Sequence, residues 1–116
     1  MIAEYVQSLL PGNLPTFVGE LPSQREDAIA VIEYSGNANT EYFDDSTMFE
    51  PVVKIVVRNR SYPEAQAQMK TVVDTLHRYH DETLLLCLVV GQPMYLGKGD
   101  LGLHEFQVTF RTNIKE

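Results

Sequence analysis

The stretch from Pro51 to Tyr79 restricts the fold more than any other part of the chain. PVVKIVVRNR reads as a β-strand: β-branched residues run through it, and Val53, Ile55 and Val57 share one face at period two. SYPE follows. Ser61 has the chemistry of an N-cap, Glu64 stands where a capping-box partner belongs, and Pro63 falls in the first turn, where its missing N–H is harmless. Ala65, Met69, Val72, Val73 and Leu76 then recur at three- and four-residue steps, with Gln66, Gln68, Lys70, Asp74 and Arg78 on the other side. A strand that feeds a capped amphipathic helix needs a sheet to pack on.

The flanking segments supply that sheet. Met1–Leu10 places Ile2, Tyr5, Val6, Leu9 and Leu10 on about one face before Pro11-Gly12, a helix too short to stand without docking. Leu14–Glu20 holds a short strand around Phe17 and Val18, and AIAVIEY, Ala28–Tyr34, is a second strand. Leu84–Val90 is apolar on both faces, as a covered central strand should be. Gln92-Pro93 breaks it, so Met94–Leu96 is a bent continuation or an edge segment. The turn Gly97–Gly102 leads into Leu103–Asn113, where Phe106, Val108 and Phe110 point inward and Glu105, Gln107, Thr109 and Arg111 outward. The expected fold is α+β in a single domain, residues 1–116. One mixed, mainly antiparallel sheet of four or five strands carries the long helix on a face, with the short N-terminal helix added at an edge or end.

Composition narrows the class of protein. One cysteine among 116 residues excludes an internal disulfide framework, and Cys87 lies in an apolar run, which fits assembly in a reducing compartment. No apolar stretch reaches the length of a membrane span, and the N-terminus lacks the pattern of a signal peptide, so a soluble, unprocessed protein is expected. A net charge of −7 argues against a general nucleic-acid binder. That charge is unevenly spread. Residues 1–50 hold nine acids and one base, Arg25; residues 51–116 hold seven acids and eight bases. Copies of such a chain can meet acid to base, although a solvated acidic half has the same composition.

Between the second strand and Pro51 lies SGNANTEYFDDSTMFE, Ser35–Glu50, a long polar connection for a compact domain. It also carries Tyr42, Phe43, Met48 and Phe49, which disordered linkers lack. Those apolar groups land on their own domain or on a partner, and in the second case the loop is mobile in the free protomer and ordered in an assembly. Tyr42, Phe43, Asp44, Asp45 and Phe49 are therefore candidate contact residues. Lys54 and Arg58 share a strand face, and Arg60 and Tyr62 follow; Lys54, Arg58 and Arg60 are candidates for a carboxylate of another subunit, or a solvated strand end.

Catalytic chemistry is not legible. His77 and His80 have a spacing that can place two ligands on one metal, but the third and fourth would have to be Asp81 or Cys87, and helix-end histidines near the negative end of the dipole are the plainer account. Gly97–Gly102 lacks the Walker spacing and precedes a strand, so it is a hairpin turn and not a phosphate loop. Asp44-Asp45 with Glu41 and Glu50 lack calcium-loop spacing. No catalytic residue, cofactor or metal ligand is assigned, and an enzyme is not expected.

The order and phrasing of the elements resemble a known family, the minor capsid and tail-terminator (neck) proteins of long-tailed bacteriophages and prophages. Four stretches carry the likeness: LPTFVGELP after the short helix; PVVKIVVRNRSYPEAQAQMKTVVDTLHRY; LLLCLVV leading to QPMYLGKGD; and HEFQVTFRTNI. The resemblance implies a mixed sheet flanked by helices and a structural, non-enzymatic job in the virion. It implies homo-oligomeric rings, commonly six-fold, that stop tube growth at the head-proximal end of the tail. The partners so implied are the tail-tube protein and the head-side connector, with assembly in the bacterial cytoplasm and no membrane or specific nucleic acid. A head-completion or tube-like subunit of the same particle is the alternative, and a small ligand-binding domain collecting Arg58, Arg60, His77 or His80 is a third reading.

Overall fold

The expected strand and helix are present in the computed structural model, as Val52–Asn59 and Tyr62–Leu76. The structure describes residues 2–12, 14–21, 26–34, 40–41, 47–49, 52–98 and 102–115. In chain order the elements are α1 (Ile2–Leu9), β1 (Thr16–Val18), β2 (Ala28–Tyr34), β3 (Thr40–Glu41), β4 (Thr47–Phe49), β5 (Val52–Asn59), α2 (Tyr62–Leu76), β6 (Leu84–Lys98) and β7 (His104–Lys115).

Five strands form the sheet in the order β1-β2-β5-β7-β6, with β1 parallel to β2 and the other neighbours antiparallel. This is the mixed α+β architecture expected from the sequence. The small strands β3 and β4 extend it: β4 pairs with the end of β7, Phe49 opposite Ile114, in the same register that β5 continues from Val52 opposite Arg111. They fall inside Ser35–Glu50, which the sequence reading treats as one loop; the rest of that segment lies outside the described residues.

Both helices pack on one face of the sheet. The period-two residues Val53, Ile55 and Val57 of β5, Ile29 and Val31 of β2 and Phe106, Val108 and Phe110 of β7 are all buried there. Against them α2 sets Ala65, Met69, Val72 and Leu76, and α1 sets Ala3 and Val6, with Leu10 just past its end. Burial of such apolar surface stabilises the fold at about 25 cal/mol per Å², so α1 holds its shape by docking, as its length requires.

The start of α2 departs from a simple capping box. Ser61 Oγ accepts from the Glu64 amide at 3.4 Å, as expected. The Ser61 amide, however, donates to Asn59 Oδ1 at 2.9 Å, and Asn59 Nδ2 donates to Gln68 Oε1 at 3.2 Å. The last residue of β5 thus holds the helix start.

One feature of β6 differs from expectation: Leu84–Val90 belongs to an edge strand and not to a central one. Met94–Leu96 is its bent continuation, one of the two expected forms, with register shifts that absorb Gly91–Pro93. Nor is the run buried on two faces: Leu84 and Cys87 are buried while Leu85 and Val90 are exposed, because α2 and the following turn cover it on the core side alone. Among the described residues no helix is long and apolar enough to cross a membrane.

Candidate functional site

The sheet face opposite the helices is covered by no described helix. Alternation puts Lys54, Val56 and Arg58 of β5 on it, beside Ala28, Ala30 and Ile32 of β2 and Glu105, Gln107, Thr109 and Arg111 of β7. Lys54 stands between Ile32 and Thr109, and Arg58 between Ala28 and Glu105. Arg58 Nε lies 3.6 Å from Glu105 Oε2 with both side chains mostly shielded, an ion pair directly across the strands. Lys54 and Arg58 therefore share a face as the sequence predicts.

Arg60 does not join them. Its guanidinium pairs with Glu26 at the start of β2, out in solvent, while Tyr62 turns its ring onto Tyr95, His104 and Phe106. The three side chains that look adjacent in the sequence separate because the chain leaves the sheet plane at Arg60. Tyr42, Phe43, Asp44 and Asp45 lie outside the described residues; Phe49 has its backbone in β4.

The outer edge of β6 is built in two parts. Along its first half the turn after α2 closes it: the Arg78 amide donates to the Cys87 carbonyl at 2.7 Å, the Asp81 amide to the Leu84 carbonyl at 2.8 Å, and the Val89 amide to His77 Nδ1 at 3.2 Å. Arg78 takes positive φ, 67°, to make this turn. Beyond Val89, no described residue outside the β6–β7 ladder bonds to the strand backbone. There Val90 is 47%, Met94 60% and Leu96 47% exposed. Val90 and Met94 lie opposite Thr109 and Gln107, on the face away from the helices; Tyr95 lies opposite Phe106, on the helix side, its hydroxyl 2.7 Å from His104 Nδ1. An open groove of about 530 Å³ between α2 and β6 is lined by Met69, Lys70, Val73, Asp74, Pro93 and Phe106 among others. The sequence signal for this edge was Pro93, which interior strands exclude.

Sheet order gathers part of the acidic excess at one edge. Glu4, Glu20, Glu26, Asp27 and Glu33 sit on α1, β2 and the segment between β1 and β2, all at one edge of the sheet. The other edge is mixed: Lys70, Arg78 and Lys98 stand there with Asp74, Asp81 and Glu82 of α2 and the turn that closes β6.

The groups tested for chemistry do not converge. His77 is engaged by Val89, His80 Nδ1 sits 3.3 Å from the Arg78 carbonyl, and Arg58 and Arg60 have separate carboxylates. Cys87 is buried, and burial pushes its thiol up to about 11. Among the described residues no three His, Cys, Asp or Glu side chains gather as a metal site would need.

Among the described residues the surface thus offers an exposed apolar strand edge and no gathered catalytic or metal-binding cluster. A model of the family described as bacteriophage tail terminator protein matches residues 5–116, and the chain belongs to that family. A solved chain from the "Virion of native gene transfer agent (GTA) particle" is similar with a TM-score of 0.55 and 11% identity, over 96% of this chain and 84% of that one. That likeness is one of fold. No curated protein matches the chain.

Proposed function

We propose that the protein assembles as a homo-oligomeric ring, with six-fold symmetry the expected form, that caps the tail tube and joins it to the head-side connector. It would stand in the tail or neck of the virion after assembly in the host cytoplasm. The observation that carries this reading is family membership across residues 5–116. The unlike edges of the sheet, acidic at β1–β2 and exposed and apolar on β6, support it, because a ring joins each face to a different face of the next copy. No catalytic step is part of the proposal.

The test is mass in solution across protein and salt concentration, with negative-stain microscopy and binding to isolated tail-tube ends. Rings and capped tubes are expected; a strict monomer that leaves tube ends growing overturns the reading. Within it, Lys54 and Arg58 are proposed contact residues, with Tyr42, Phe43, Asp44, Asp45 and Phe49. Arg58→Glu is expected to reduce ring yield more than Arg78→Glu, and equal yields remove Arg58 from the interface. Capture by connector protein but not by tube would instead favour a head-completion subunit.

A further inference from the structure

We infer that the distal half of β6, Val90–Lys98, docks on the acidic β1 edge of a second copy of this chain. The inference rests on the assembly reading above and names the surfaces that meet. The edge is closed by His77, Arg78 and Asp81 only as far as Val89. An unprotected edge with exposed apolar side chains is a surface proteins ordinarily shield unless something pairs with it. Val90, Met94 and Leu96 are the three most exposed large aliphatic side chains among the described residues, and all lie in this segment.

Charge selects the occupant. β6 contains no acid and carries Lys98, while the groove beside it is lined by both Lys70 and Asp74, so Lys98 is the charge this edge offers. At the far edge of the same sheet Val18 is 37% exposed, with Glu20 two residues on and, before β2, Asp27 and the Glu26 that pairs with Arg60. That edge presents an apolar residue beside Glu20, the complement of apolar residues beside Lys98. A single copy cannot bring the two together, since β2, β5 and β7 lie between them. The contact is thus head to tail, and repeated it closes a ring or grows a filament. β1 has three residues, and Gln7 Nε2 already bonds the Thr16 carbonyl at 2.8 Å, so side-chain packing and charge carry the contact.

The test uses thiols placed on each surface, Val18→Cys and Met94→Cys, with a short bismaleimide linker. Cys87 is 1% exposed, so the wild-type chain serves as the unlinked control. The two single variants alone should stay unlinked, their mixture should give dimers, and the double variant should give a ladder of multimers. Met94→Glu with Leu96→Glu should lower the assembled fraction about tenfold, and the losses caused by Lys98→Glu and by Glu20→Lys should be reversed when both are present. Circular dichroism verifies that each variant is folded. If the wild type assembles but Val18 and Met94 do not link, or Met94 links to Met94, the inference falls while ring assembly stands. A wild type that never assembles overturns both.

Discussion

The Tyr5 hydroxyl donates to Asp81 Oδ2, which ties the N-terminal helix to the turn between α2 and β6 across most of the sequence. Tyr79 donates to the same oxygen at 3.0 Å, and Oδ1 accepts from the Thr83 and Leu84 amides at 2.8 and 2.7 Å. One carboxylate thus holds a helix, a turn and the first residue of β6. The bond from Tyr5, then that from the Leu84 amide, lowers its pKa to about 2.

A depressed carboxylate stabilises the fold above its unfolded pKa, and the contribution disappears as pH falls through the folded one. For Asp81 the window runs from about 3.8 down to about 2. Asp81→Asn is expected to lower the melting temperature at neutral pH, with the gap to wild type closing towards pH 2. Melts in parallel buffers measure it; a gap independent of pH would exclude the carboxylate charge as the cause.

Tyr5 gives the alkaline counterpart. Its bond to Asp81, with some burial and the carboxylate charge, pushes its pKa up to about 12 from 10.0. The neutral hydroxyl is favoured in the fold, so its contribution is complete below pH 10 and disappears as pH rises towards 12. Ultraviolet titration of Tyr5→Phe should lack one late-ionising tyrosine, and the variant should lose less stability than wild type across that window. Loss of an early-ionising tyrosine instead would contradict the bond.

The Tyr5–Asp81 bond was not legible in the sequence, because nothing local relates two residues so distant. Local physics was legible where it decides the outcome. Ala28–Tyr34 and the α2 stripe follow from period and capping, and the inward set Phe106, Val108 and Phe110 follows from alternation. Neighbour choice was not. The run Leu84–Val90 looks central yet forms an edge, since a turn can shield an edge as well as a strand can. At the candidate surface, Lys54 and Arg58 were found by strand parity, whereas Met94 and Leu96 needed the three-dimensional edge to appear as exposed.

Asn59 is the buried link between β5 and α2, 5% exposed and bonded to both Ser61 and Gln68. Asn59→Ala leaves the Ser61 amide and Gln68 without that partner and should cost about 1–3 kcal/mol. Ser61→Ala removes the longer cap and should cost about 1 kcal/mol. Denaturant midpoints order the two. A larger loss at Ser61 would return the helix start to the simple cap.

Phe110 is among the largest fully buried side chains, paired with Val53 on one side and Val89 on the other. Phe110→Ala should cost about 3–5 kcal/mol. Met94→Ala, at 60% exposure, should change the stability of the free protomer by less than about 0.5 kcal/mol. Urea unfolding of both variants at low concentration decides it; a large cost at Met94 would mean that the edge segment belongs to the core.

His77 gives a local test of the closed half of the β6 edge. Its Nδ1 accepts from the Val89 amide, so the proton of the neutral ring sits on Nε2. His77→Ala removes the acceptor without touching the Asp81 carboxylate that holds Thr83 and Leu84. A net hydrogen bond of about 1 kcal/mol corresponds to about fivefold faster opening. Hydrogen exchange resolved by residue should therefore show Val89 exchanging about fivefold faster while Leu84 is unchanged. Equal acceleration at both amides would mean that the turn opens as one unit and that His77 only anchors it. An unchanged Val89 would mean that the strand edge is shielded by the backbone bonds of Arg78 and Asp81 alone.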